Sequence, residues 1–164
     1  MIPKINRILY TTDLSLNAAY VFQYALSSAE KHDAKIIVLH AVEPTGAMGF
    51  RSPGVDTESI VEKIKKRIEA VAKQERRDKQ SLINRVSEIR VKEGNPVSVI
   101  LQAVTDLEPD IIIMGTHSKG IIAQTFLGSV AMKVLQQSRI PVYVIPIPAL
   151  PASYVNWLKR HQAL

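Results

Sequence analysis

Two periods of apolar residues alternate along the chain. Ile5 to Thr12 is short, apolar and rich in β-branched residues, which predicts a strand; Asp13-Leu14-Ser15 follows with side chains suited to turning the chain and capping a helix. From Ala18 to His32 the apolar positions Ala18, Val21, Phe22, Ala25, Leu26 and Ala29 recur at helical spacing. Lys35 to Val42 holds Ile36-Ile37-Val38-Leu39, the unbroken run that a strand covered on both faces needs. Thr45 to Gly54 has glycines and a proline but no period, and reads as a mobile loop. One long helix is predicted over Thr57 to about Ser81, with Ile60, Val61, Ile64, Ile68, Val71 and Ala72 along one stripe. Arg85 to Lys92 reads as a third strand, in which Ile89 and Val91 alternate with charged residues, and Gly94-Asn95-Pro96 turns it into a helix from Val97 to Leu107. A fourth strand at Asp110 to Met114, a helix at Ser129 to Gln137 and a fifth strand at Val142 to Ile145 complete the series.

Strands separated by helix-length crossovers pair in parallel with right-handed connections, so the fold class is α/β, a three-layer sandwich around a parallel sheet. Ligands of such sheets sit beyond the carboxyl ends of the strands, where the strand order reverses. Asp13, Ala41 with Val42, and Gly115 all fall at that edge.

The run Met114-Gly115-Thr116-His117-Ser118-Lys119-Gly120, followed by Leu127-Gly128-Ser129-Val130, joins the fourth strand to the next helix. Strand, glycine-bearing loop and helix N-terminus in that order make a recurring anion site, because free backbone N–H groups and the positive end of the helix dipole converge there. It is read as a nucleotide-phosphate loop.

Composition narrows the partners. The 164 residues suit one domain, and an apolar fraction of 46% is enough for a substantial core. Without cysteine, neither disulfides nor thiolate metal sites are available. The opening Met1-Ile2-Pro3-Lys4 lacks a secretory layout and no apolar run approaches the ~20 residues of a membrane span, so a cytoplasmic chain is expected. The net charge of +6 raises nucleic acid as a partner, yet the basic residues concentrate between Glu62 and Asp78, interleaved with Glu69 and Glu75 and without aromatics. That pattern reads as a solvated helix face rather than a nucleic-acid surface.

Four pieces in order give the chain a resemblance to the universal stress proteins over about residues 3 to 146: Ile8-Leu9-Tyr10-Thr11-Thr12-Asp13-Leu14-Ser15, Val38-Leu39-His40-Ala41-Val42, Glu93-Gly94-Asn95-Pro96, and Met114 to His117 continuing through Gly128-Ser129-Val130 to Pro141-Val142-Tyr143-Val144-Ile145-Pro146. The resemblance implies a Rossmann-like fold of the adenine-nucleotide alpha-hydrolase type, a five-stranded sheet in the order 3-2-1-4-5, and a homodimer through the last strand, Val142 to Ile145. It divides the chain into a domain at 1–146 and a tail at 147–164. The family's ATP-binding branch carries Gly-x2-Gly-x9-Gly followed by Ser or Thr. Here the run reads Gly115-x2-Ser118-x9-Gly128-Ser129, with serine at the middle position.

What the resemblance implies for the site is ATP, with the Mg²⁺ that ATP brings. Asp13 would accept from the ribose hydroxyls, the Ala41 backbone would meet the adenine edge, and Met114 would lie beside Gly115 at the entrance to the loop. Gly115, Ser118, Gly128, Ser129 and Val130 would give N–H groups, with the Ser129 hydroxyl, to the phosphates. His117, Lys119 and Arg51 are lesser candidates for the polyphosphate. Each residue also has a plainer reading: Asp13 as a helix cap, His40 and His117 as packed or surface histidines, Gly128-Ser129 as a helix start, and Gly94 and Pro96 as turn geometry.

No Lys precedes Ser129 as a Walker loop requires, and Gly-x-Ser-x-Gly, His-Glu-x-x-His and paired-carboxylate motifs are absent. The sequence therefore reads as a nucleotide-dependent regulator of the stress response, with a protein partner still to be named and hydrolysis slow at most. Two readings compete with it: a dimeric interaction module that binds no nucleotide, and a slow adenine-nucleotide hydrolase. In the tail, Ile147-Pro148-Ala149-Leu150-Pro151 reads as a stiff connector and Ser153 to about His161 as a short helix. Its Tyr154, Trp157 and Leu158 share one face that needs cover from a partner or from the protein's own surface.

Overall fold

The short apolar runs form strands β1 (Arg7–Thr11), β2 (Lys35–Val42), β3 (Val86–Glu93), β4 (Ile111–Gly115) and β5 (Val142–Ile145). The helical stretches are α1 (Leu16–His32), α2 (Thr57–Gln74), α3 (Lys79–Ile83), α4 (Pro96–Leu107), α5 (Ser129–Gln137) and α6 (Ala152–His161). The structure, a computed structural model, describes residues 2–44, 56–74, 78–116, 127–148 and 151–161.

All four strand pairs are parallel and the order is β3-β2-β1-β4-β5, as the sequence and its resemblance imply. Side chains alternate across a strand, and the alternation sorts the core into two layers. Ile8 and Tyr10 of β1, Ile36 and Val38 of β2, and Ile111 and Ile113 of β4 pack with α1, α2 and α3. Leu9, Ile37, Leu39, Ile112 and Met114 point the other way, onto α4 and α5. The central strands are thus buried on both faces, each Ile or Leu contributing roughly 1.5–3 kcal/mol. β1 and β4 start in step because one Asp110 carboxylate oxygen accepts from the Asn6 and Arg7 N–H groups at 2.7 and 2.8 Å.

The single long helix expected to reach Ser81 is two elements. The Asp78 side chain accepts from the Gln80 N–H and starts α3 afresh, beyond a stretch from Lys73 to Ser81 that holds no apolar residue to carry the stripe onward. Gly94 has φ 147° and donates its N–H to the Val42 carbonyl, which is the turn geometry expected of it. α4 begins on Asn95, whose Oδ1 accepts from Val97 and Ser98, with Pro96 in the first turn.

The tail folds back on its own chain. Tyr154 and Trp157 stack at 6.2 Å and pack, half-buried, on the core layer that α1 covers. Of the two destinations expected, the protein's own surface is the one these aromatics occupy in the single chain; the side chain of Leu158 lies outside the described residues.

Candidate functional site

β1 lies between β2 and β4, and the chain leaves it in one direction for β2 and returns on the other side for β4, so the strand order reverses at β1. Thr11 pairs with Leu39 and Tyr10 with Ile113, which brings the segments after β1, β2 and β4 out on the same edge of the sheet. Asp13, Ala41, Met114 and Gly115 lie at that edge, and the Gly128 N–H donates to the Thr116 carbonyl at 2.6 Å, closing the neck of the loop. Ala41, Met114 and Val130 belong to one apolar layer. Gly128, Ser129 and Val130 form the start of α5, with Ser129 exposed. Ser118, His117, Lys119 and Arg51 lie outside the described residues, as do 45–55.

The turn after β1 is built by short-range bonds. The Thr12 hydroxyl oxygen accepts from the Leu14 N–H at 3.1 Å, and Asp13 Oδ1 accepts from the Ser15 N–H at 2.9 Å. Leu14 sits at φ 60°, a left-handed conformation that costs a branched residue about 1–2 kcal/mol. Ser15 holds the cap position of α1 without a side-chain bond to the helix, and Asp13 does not bond the helix's own first turn, so the carboxylate is spent on the turn rather than on capping.

Two polar atoms of this turn are buried without a hydrogen-bond partner among the described residues: Asp13 Oδ2 and Ser15 Oγ. A buried carboxylate oxygen left unpaired costs more than an ordinary lost hydrogen bond. Such a group at the switch point of an open sheet is suited to accept from a ligand hydroxyl.

Two residues hold the turn: His40, read from sequence as a packed or surface histidine, and Arg67, which sequence reasoning did not single out. His40 Nδ1 lies 2.7 Å from the Thr12 carbonyl and therefore carries the proton that it donates there. The Arg67 guanidinium reaches from α2 to donate to the Leu14 carbonyl. Lys63, Lys65, Lys66 and Lys73 do face solvent, as expected of that helix, but Arg67 is half-buried beside the stripe of Ile64 and Ile68, where desolvation pushes its pKa down. The signal was its place three residues after Ile64, at the rim of the apolar face. Burial pushes the Tyr10 hydroxyl up, and it donates to the Ala18 carbonyl at 2.7 Å.

Gly115 has a packing role. A Cβ there would lie 2.9 Å from Ile147 Cδ1 and 3.1 Å from Val21 Cγ2, so the tail and α1 close on this residue. The Ile147 N–H also donates to the Thr116 hydroxyl at 3.3 Å. A partly open pocket lies between α1, α2 and the sheet, beside the turn after β1, lined by Thr12, Leu14, Phe22, Val38, Ile64 and Arg67 among others. Its apolar walls belong to the layer opposite that of Ala41, Met114 and Val130.

A sheet of this order with its turn at the switch point defines an open, doubly wound α/β domain. The family model described as "Universal stress protein family" matches residues 4–146. A universal stress protein of Thermus aquaticus is 31% identical over 139 residues, covering 84% of this chain and 96% of the relative. MJ0577 of Methanocaldococcus jannaschii is 26% identical over 152 residues, 85% of this chain and 93% of its own, and its solved structure aligns with TM-score 0.60 at 24% identity, over 90% of this chain and 100% of that one. A universal stress protein of Archaeoglobus fulgidus, solved in complex with dAMP, aligns with TM-score 0.52 at 21% identity over 88% of this chain and 99% of that one. The chain belongs to the universal stress protein family.

Proposed function

We propose that this chain is an ATP-binding regulator within its family, whose nucleotide occupancy is read by a protein partner in the cytoplasm. The observation that carries the reading is the buried, unpaired Asp13 Oδ2 at the sheet's switch point. One carboxylate oxygen has lone pairs for two ribose hydroxyls. The start of α5 adds N–H groups that a helix leaves unbonded in its first turn, together with the positive end of its dipole. Gly128 leads into them and Ser129 presents its hydroxyl to solvent. Ala41 and Val130, half-buried, offer apolar surface for a purine with Met114 buried beside them, and Gly115 and Ser118 would serve the phosphates. The adenine nucleotide bound by the Archaeoglobus relative supports the ligand class.

Among the described residues no three His, Asp or Glu side chains converge as a metal site, so Mg²⁺ would be held by phosphate oxygens. No helix of the described residues is long and apolar enough to cross a membrane. The tail at 147–164 is an appendage to the domain at 1–146. The homodimer is assigned to the outer strand β5, an open sheet edge where Tyr143 is 44% exposed, flanked on α5 by Met132 and Leu135 at 43% and 48%. Hydrolysis is slow at most.

One observation favours the reading without nucleotide: the contacts of Gly115 with Ile147 and Val21 account for that glycine with no phosphate present. Competition of ATP, ADP, AMP and GTP against a fluorescent ATP analogue on the wild type and Asp13→Ala separates the two. Displacement by the adenine nucleotides, weakened at least tenfold in the variant, supports nucleotide binding. A wild type that never binds the analogue supports the interaction module.

A further inference from the structure

Arg67 is an unusual use of a guanidinium. Its charge is partly withdrawn from water, and among the described residues it forms no ion pair, although Asp13 and Tyr10 are near enough to act on it electrostatically. Among the described residues its guanidinium donates to a backbone carbonyl, that of Leu14, the residue held at φ 60°. Removing charge from water is unfavourable unless the site returns something for it. Here the return is conformational: the side chain ties α2, the first element after 45–55, to the turn that carries Asp13.

The bonds within the turn grip the peptide between Leu14 and Ser15 at its N–H end alone, and Arg67 grips the same unit at its carbonyl end. Thr12 Oγ1 holds the Leu14 N–H and Asp13 Oδ1 holds the Ser15 N–H, and the latter shares one planar peptide unit with the Leu14 carbonyl. The Leu14 carbonyl is the group whose direction changes if Leu14 relaxes from the left-handed region to the ordinary one, and that is the group Arg67 holds. Were Leu14 to relax, Ser15 would swing away from Asp13 Oδ1, and the carboxylate would lose the bond that leaves Oδ2 buried and facing no protein donor.

We propose that Arg67 is a positioning residue that locks the Leu14 carbonyl and thereby presents Asp13 Oδ2 to the hydroxyls of a ligand sugar. The inference rests, for its sugar, on the nucleotide reading above; the hold of Arg67 on the turn does not. Lysine keeps the charge and one donor and so retains part of the lock, whereas methionine keeps the apolar stem and loses the donor.

Two measurements on the full chain test it. Amide hydrogen exchange without nucleotide, on wild type, Arg67→Lys and Arg67→Met, reads the turn. Protection at Leu14 and Ser15 is expected to fall about tenfold in Arg67→Met, equivalent to about 1.4 kcal/mol, and less in Arg67→Lys, with Ile112 in β4 unchanged. Titration with ATP and 2′-deoxy-ATP reads the sugar. Arg67→Met is expected to weaken ATP about tenfold and the deoxynucleotide less, so that the ratio between them contracts, with Arg67→Lys between. Unchanged protection at Leu14 and Ser15, or a wild-type ratio in a folded Arg67→Met, overturns the proposal. If protection falls as expected and the wild type binds neither nucleotide, the lock stands and the nucleotide reading fails; if Arg67→Met does not fold, the same two readouts in Arg67→Lys decide.

Discussion

Replacing Gly115 by alanine should destabilise the protein through the tail, and the effect should depend on Ile147. The added methyl would stand 2.9 Å from Ile147 Cδ1, 3.6 Å from Ile147 Cγ1 and 3.1 Å from Val21 Cγ2, where carbon atoms rest at about 3.5–4.0 Å. Ile147 can swing its terminal methyl, but Val21 is buried on α1 and cannot move without α1. Overpacking of this kind costs about 1–3 kcal/mol, and the stiffer unfolded chain returns about 0.4–1 kcal/mol, for a net loss centred on ~1.3 kcal/mol. In a chain of this length that lowers the melting temperature by roughly 3–5 °C. Ile147→Val removes Cδ1, the nearest atom, and costs about 0.5–1 kcal/mol alone because Ile147 is only partly buried. Urea unfolding followed by far-UV circular dichroism on the two single variants and the double should show the double less destabilised than the sum by at least about 0.5 kcal/mol. Additive losses, or a Gly115→Ala protein as stable as wild type, would refute the close contact between the tail and the strand end.

The helix caps make opposite predictions. Asn95→Ala should cost about 1 kcal/mol, since Oδ1 serves two N–H groups at the start of α4, whereas Ser15→Ala should be neutral or stabilising, its hydroxyl being buried and unpaired; thermal melts of both compare them. The Arg85 guanidinium bonds Asp33 and lowers its pKa, so that contribution is present above the ordinary carboxylate range and is lost as pH falls through the lowered value. Asp33→Asn, which also tolerates the residue's φ of 52°, should therefore show a slightly shallower loss of stability between neutral and acid pH than wild type. Deleting 149–164 should lower the melting temperature and expose the α1 surface under Tyr154 and Trp157 without altering sedimentation; a change of oligomeric state would mean the tail serves a partner instead.

The sheet was legible because its central strands are covered on both sides: runs such as Ile111-Ile112-Ile113-Met114 have no other stable placement. The end of the long helix was not, because the polar stretch from Lys73 to Ser81 is rich in helix-forming residue types, and the Asp78 cap that starts α3 is one polar residue among many. Asp13 was legible as a group at the sheet edge, while the plainer reading of it as a helix cap gave way to a turn bond to Ser15. Arg67 was illegible as anything but a surface charge, because its partner is a backbone carbonyl 53 residues away that leaves no trace in residue type. Gly115 looked like a phosphate-loop residue, and its contact with Ile147 depends on a tail whose path no local pattern encodes.

Calorimetric titration of the full chain with ATP and Mg²⁺, set beside Gly128→Val, tests the central claim most directly. Gly128 has φ −60° and ψ 152°, which valine adopts without strain, so the variant should fold while its side chain crowds the approach to the α5 N-terminus. Saturable binding in the wild type, with stabilisation of about 2.7 kcal/mol at a hundredfold excess over Kd and loss of both in the variant, is the expected result. No heat and no thermal shift at millimolar ATP in the wild type would contradict it.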